Sequence, residues 1–203
     1  MTFRWAIVAW VGLPVWAACT DPPRRSDRGP VVQERSVPMA EDVPLNALLD
    51  SLGIDADEVA IHVDKSERRL CLKHADATVR CYDVVLGGSP EGDKRMQGDQ
   101  RTPEGSFTFR DKYPHREWHR FAWIDYPNAE SVRRFKARRA AGEIPADARI
   151  GGEVGIHGVP AGMDLLISTG VDWTLGCIAM RNDDLDEVYD IIRPGRTIVH
   201  IGP

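Results

Sequence analysis

The apolar positions of this chain change their spacing along its length, and each change predicts a different element. From Trp5 to Ala18 the residues form an apolar run behind Arg4 that ends in small residues. The run is too short to span a bilayer comfortably. It predicts a cleaved secretory signal over 1–18, with a single uncleaved anchor as the alternative. Residues 19–40 carry little apolar content and much Pro, Arg and Asp, so they predict a flexible tether. Within a lead-in over 41–57, Leu45, Leu48, Leu49 and Leu52 fall at helical spacing and Gly53 ends the pattern. From Glu58 the period shortens towards two. A strand is predicted over 60–63, and strands over 69–72 and 79–82 flank a turn at 74–77. That hairpin sets Cys71 opposite Cys81.

The next stretch, "GGSPEGDKRMQGDQRTPEG", reads as a long loop that feeds a strand over 106–110. Long ordered loops are more often functional than not. "FAWIDYPN" predicts a further strand closed by a Pro-Asn turn. "AESVRRFKARRAAGEI" is helical by period, with Val132 and Phe135 on one side. Its basic residues, Arg133, Arg134, Lys136, Arg138 and Arg139, read as a solvated face in preference to a lid or a contact for an anionic polymer. "IGGEVGIHGVP" predicts a strand running into a loop. "NDDLDEVYDIIRPG" predicts a helix with Asn182 as N-cap and Leu185, Val188, Tyr189 and Ile192 as its buried stripe. "RTIVHIG" closes the pattern as a last strand. Short strands with a few helices, without internal repeat or βαβ alternation, predict a mainly β, α+β domain over 58–203.

Composition narrows the class. A formal net charge of −5 speaks against a nucleic-acid partner, whose binders are basic. An apolar content of 42% predicts a packed core. Export would place the four cysteines where disulfides form. Ala17-Ala18-Cys19 has the form of a bacterial lipidation signal, with Trp16 where an aliphatic residue usually stands, so Cys19 is a lipidation candidate and plain cleavage near Ala18 is the alternative. With Cys19 lipidated or removed, three cysteines remain and one thiol stays free. Cys71 and Cys81 are read first as a disulfide, with two separate buried thiols as the alternative, which makes Cys177 the odd one.

Cys177 follows Gly176 shortly before the predicted helix at Asn182. A free thiol has a pKa of about 8.5 and needs a base or a cation to act as a nucleophile. His157, at the end of the apolar strand "GIH" and before Gly158, is the candidate base; an inert buried Cys177 is the competing reading. Backbone amides at Gly176 and Cys177 are candidate oxyanion donors. His119 reads as an exposed or satisfied histidine in preference to a cleft residue, and His62, His74, His115 and His200 have no evident partner. No His or Cys pair has local metal-ligand spacing, so neither metal nor cofactor is expected. Arg101, Thr102 and Gly105 read as one wall of a site or as a structural loop.

"IHG", followed by "GCIAMRNDDLDEVY", resembles the L,D-transpeptidase (YkuD-type) family. "VDKSERRLCL", "VVLGG", "GDQRTPEGSF" and "YPN" precede them in the family's order, so the resemblance runs from about Val59 to the C-terminal end. It implies a β-sandwich-like fold of mixed sheets and action on peptidoglycan stem peptides. It implies Cys177 as nucleophile, His157 as general base, and Leu175, Gly176, Gly158, Arg181 and Asn182 as oxyanion or substrate positions. Cysteine attack on the third stem residue would expel a terminal D-alanine, and an amine would then take the acyl group. Hydrolysis on the same scaffold, or wall binding without turnover, are the alternatives. The resemblance further implies a periplasmic or envelope location, with the membrane reached through the N-terminus alone, and a monomer is expected. The chain departs from the family twice. "TLGC" stands for the usual Ser-His-Gly-Cys, so Leu175 replaces a histidine, and Ala179 replaces an arginine.

Overall fold

Strand pairing organises residues 43–203, the part of the chain that the computed structural model describes. The expected signal segment, the tether and the lipidation candidate Cys19 lie outside the described residues. Helix α1 (Leu45–Leu52) and a short 3-10 turn (Ala56–Glu58) lead into β1 (Val59–Asp64), β2 (Arg69–His74) and β3 (Ala77–Val85). Next come β4 (Gly105–His115), β5 (His119–Ile124), α2 (Ala129–Ala140) and β6 (Gly155–His157). The short helix α3 (Leu165–Ser168), β7 (Ile178–Met180), α4 (Asn182–Ile191) and β8 (Ile198–Gly202) complete the order.

The strands close in the order β1-β2-β3-β7-β6-β5-β4-β8. Neighbours are antiparallel except β1 with β8 and β6 with β7, which are parallel. The expected mainly β fold of mixed sheets is therefore present, with its layers joined. One sheet is built on β1, β2 and β8, the other on β5, β6 and β7, and β3 and β4 take part in both. Closure leaves no unpaired sheet edge among these strands.

Alternation accounts for the inner face. Val59, Ile61 and Val63 of β1 point inward, as do Leu70 and Leu72 of β2, while their neighbours face outward. Phe107, Phe109, Ile156, Ile178 and Met180 fill the interior, and α4 seals it with Leu185 and Val188. A second apolar cluster, Val85, Val159, Ile167 and Ala179, sits under α3 and covers the other face of β7. Gly53 ends α1 in the left-handed region, at φ 67°. Of the four spaced leucines only Leu45 and Leu49 are buried, and Leu52 is 55% exposed.

In the β2–β3 hairpin Cys71 lies opposite Cys81, and a disulfide joins them. The bridge closes a loop of sequence separation 10. Replacing both cysteines with alanine is expected to cost ~2–3 kcal/mol through the freedom returned to the unfolded chain. Urea unfolding of the pair variant beside the oxidised parent measures this; equal midpoints would show that the bridge adds no stability.

Three local expectations need correction. First, β4 does not stop near residue 110. It runs to His115 because Lys112 and Tyr113 continue to pair with Ala122 and Phe121 of β5. Second, Asn182 is not the N-cap of α4. Arg181 occupies that position without a side-chain cap, and the Asn182 amide instead accepts from Val159 N–H (2.9 Å) and donates to Val159 O (3.1 Å). The Asp164 carboxylate takes the Asn182 N–H at 2.8 Å, so the cap comes from a distant loop. Third, the basic face of α2 is only partly solvated. Arg134 and Arg138 both reach Asp93, at 3.1 and 2.9 Å, and donate to the carbonyls of Glu104 and Lys94. They brace the loop that the sequence marked as long and glycine-rich.

Candidate active site

The parallel pair β6–β7 sets the site. Ile156 aligns with Ile178 and His157 with Ala179. Continuing that register by one residue aligns Gly155 with Cys177. Side chains two apart along a strand share a face, so His157 and Cys177 project from neighbouring strands to the same side. Both line one cavity of about 950 Å³. Its other walls come from Lys94, Gln97 and Gln100 of the braced loop, Tyr113, His115, Trp118 and Phe121 of the β4–β5 hairpin, and Trp173 to Leu175.

His157 is 4% exposed and is boxed by rings: Phe121 stacks on it at 6.0 Å, Trp118 lies at 5.1 Å and Trp173 meets it edge-on at 5.9 Å. Its Nδ1 lies 2.7 Å from Gly158 O. A carbonyl only accepts, so Nδ1 carries the hydrogen and the neutral ring keeps Nε2 as an acceptor. Burial pushes the imidazole pKa below its ordinary value; the Gly158 hydrogen bond works in the opposite direction. Gly158 has no room for a side chain. A Cβ there would collide with Asn182 Oδ1 and lie 3.1 Å from Trp118 O.

Cys177 is the free cysteine of the described residues, and its thiol is partly buried. Its hydrogen bond goes to Glu153 O at 3.6 Å. Burial pushes the thiol pKa up; the Gly155 backbone and the charge of Lys94 pull it down, and Glu153 adds to the rise. Both shifts favour the uncharged forms, a protonated thiol and a neutral imidazole.

Thr174 ties the turn before Cys177. Its hydroxyl donates to Cys177 O (2.7 Å) and accepts from Gly176 N–H (3.1 Å). The Gly176 amide is thereby committed, which removes it from the pair of oxyanion donors expected from sequence. Gly176 has φ +132°, and a Cβ would meet Arg101 O at 2.7 Å and Lys94 Nζ at 3.5 Å. Leu175 stands at the cleft mouth, 77% exposed. Arg181 and Asn182 are not among the lining residues: Arg181 is exposed, and Asn182 holds the 158–159 backbone. Arg101, Thr102 and Gly105 do not line the cleft either. The buried Thr102 hydroxyl accepts from Gly87 N–H at 3.1 Å, and the wall is formed by Lys94 to Gln100 instead.

The remaining histidines find partners. His119 pairs with Asp186 at 2.7 Å, His74 with Glu58 at 3.3 Å, and the His62 ring packs at a tilt against that of His200, 4.7 Å between centroids. His115 lines the cleft, its Nδ1 accepting from the amides of Glu117 and Trp118. Among the described residues no group of three or more His, Cys, Asp or Glu is placed to hold a metal. Sequence reasoning missed Trp118, Phe121, Trp173, Lys94 and Glu153. The aromatic spacing in "REWHRFAW" was the available signal, but such residues read equally well as core.

Residues 58–201 match the L,D-transpeptidase catalytic domain, YkuD. No curated protein matches the chain. The chain is similar to the structure of Bdellovibrio bacteriovorus Bd1075, with TM-score 0.51 and 19% identity over 71% of this chain and 48% of that one. It is similar to the helical cell shape determining protein Pgp2 from Campylobacter jejuni, with TM-score 0.50 and 19% identity over 77% of this chain and 54% of that one. At this identity the likeness shows the fold, and the chain spans about half the length of both. Among the described residues no helix is long and apolar enough to cross a membrane.

Proposed function

The chain belongs to the L,D-transpeptidase (YkuD) catalytic-domain family, and from that premise we propose that it is an exported cysteine acyltransferase acting on peptidoglycan stem peptides. The observation that carries the reading is that Cys177, immediately before β7, and His157, at the end of the adjacent parallel strand β6, line one cleft, with His157 Nε2 left as an acceptor. Cys177 gives its proton to His157 Nε2 as Sγ attacks the carbonyl of the third stem residue. The Cys177 amide is the oxyanion donor, since that of Gly176 is engaged by Thr174. The tetrahedral intermediate collapses, the amine of D-alanine takes the proton from His157 and leaves, and a thioester remains. An acceptor amine attacks the thioester, its proton passes through His157, and the thiol is restored.

Hydrolysis is the second reading, by carboxypeptidase action or by release of wall-linked protein. Leu175 favours it, because an exposed aliphatic side chain stands at the mouth where the family carries a second imidazole that could assist an acceptor. Tetrapeptide muropeptides incubated with the full chain and read by mass separate the cases. Cross-linked dimers or D-amino-acid exchange mark transfer, tripeptide alone marks hydrolysis, and unchanged substrate with an unlabelled Cys177 leaves a wall-binding module. The envelope location and a lipid anchor through Cys19 belong to the same proposal, and both rest on residues 1–19 of the sequence.

The lowered His157 pKa gives a pH prediction. Protonation removes the base, so activity falls as pH drops through the folded pKa. Burial moves that point down, so the acid limb of kcat/KM is expected below the ordinary histidine value of about 6.5. A profile whose acid limb is centred above that value would argue against His157 as the base.

A further inference from the structure

Besides its histidines, the cleft is lined by two charged residues, Lys94 and Glu153. Lys94 is buried and answered, with Asp99 at 2.8 Å and the Arg101 carbonyl at 3.4 Å. Glu153 is exposed, and its carboxylate has no ion-pair or hydrogen-bond partner among the described residues. Its backbone explains its placement. Glu153 sits at φ 55°, a left-handed conformation uncommon for a side-chain-bearing residue, and follows Gly151 at φ 80°. That turn brings the Glu153 carbonyl to Cys177 Sγ at 3.6 Å. Glu153, Tyr113 and Cys177 line the same cleft; burial raises the pKa of the Cys177 thiol and of the Tyr113 hydroxyl, and the Glu153 charge adds to both rises.

The walls around it are aromatic. Tyr113 stacks on Phe121 at 5.7 Å, and Trp118 lies 5.6 Å from Trp173. Ring faces carry negative charge density and attract cations. A free carboxylate in a cleft walled by such rings, with the one lysine already neutralised, selects for a cation and against an anion.

We infer that Glu153 is a specificity-determining residue whose carboxylate, with the Tyr113 ring, holds a primary ammonium group of the reacting peptide or of the acceptor beside Cys177. The inference rests on the acyl-transfer reading above and names the charge of its substrate. Two groups share that chemistry: a side-chain ammonium on the third stem residue of the donor, and an ammonium of the acceptor other than its attacking amine.

The test begins with a measurement that needs no turnover. Cys177 in the full chain is modified with methanethiosulfonate reagents bearing a cationic, a neutral or an anionic tail, and Cys177→Ala serves as the blank for Cys19. Wild type is expected to react faster with the cation than with the anion. Glu153→Gln is expected to lower that rate ratio about fivefold, the effect of removing one partly screened charge from the cleft, and Glu153→Asp to keep most of it. An equal ratio in wild type and Glu153→Gln overturns the inference. Stem peptides with a free or acetylated amine on the third residue, and acceptors with and without a second ammonium, then locate the group. The expected result is a preference for the free amine that Glu153→Gln loses, on the donor or on the acceptor; a preference that both proteins share overturns the inference. A shifted reagent ratio with no turnover of any peptide upholds the ammonium site and overturns the acyl-transfer reading instead.

Discussion

Cys177→Ala is expected to abolish product formation from tetrapeptide muropeptides, by ~10³-fold or more, with no acyl adduct on the protein. The size follows from the chemistry, because without Sγ nothing in the cleft can hold the acyl group. His157, Glu153 and the cleft aromatics would still bind substrate, so affinity should survive while turnover is lost. Folding should be nearly untouched. The thiol makes one long hydrogen bond, to Glu153 O, and a methyl group fits where the sulfur was. Mass spectrometry of peptide and protein, with a thermal melt as the control, decides the matter. Product formation by a folded Cys177→Ala protein would remove Cys177 from the mechanism.

The second large effect is expected at Gly176. Its φ of +132° lies in a region that residues with a Cβ rarely enter, and a Cβ would stand 2.7 Å from Arg101 O. Alanine must therefore either strain the turn or displace the braced loop. A stability loss of ~2–4 kcal/mol is expected from strain and contact together. Activity should fall by ~10²-fold beyond what the loss of folded protein explains, because shifting the turn moves Cys177 against His157. Denaturant unfolding and active-site titration of the folded fraction measure the two effects separately. A Gly176→Ala protein with parental stability and rate would show that the turn tolerates a side chain.

These effects could be placed because part of the site was legible in the sequence. Period-two alternation marked β1 and the β2–β3 hairpin, since one face of each is buried and the other is not. The Cys71–Cys81 pairing followed from the same register. The far end of β4 was illegible because Lys112, Tyr113 and His115 lie on a hairpin that extends past the core, where no alternation is imposed. β6 and β7 are three buried residues each, too short to carry a period of their own. They were found through the motifs they hold. The cap of α4 was misread because the Asn182 side chain serves Val159, a residue 23 positions away. The clamp of Arg134 and Arg138 on Asp93 was misread for the same reason: sequence shows the charge of a residue but not the loop that will fold against it.

The hairpin disulfide also bears on how the chain oxidises. Cys71, Cys81 and Cys177 can form one disulfide in three ways, and two of those would consume Cys177. Cys71 and Cys81 are separated by 10 positions, whereas either lies about a hundred residues from Cys177. Loop-closure entropy alone favours the local pair by ~2 kcal/mol, roughly thirtyfold in rate or population. The nearer partner is taken first, and the distant sulfur is left reduced. In this sense the bridge protects a thiol it never touches, by occupying the two partners with which that thiol could be misjoined.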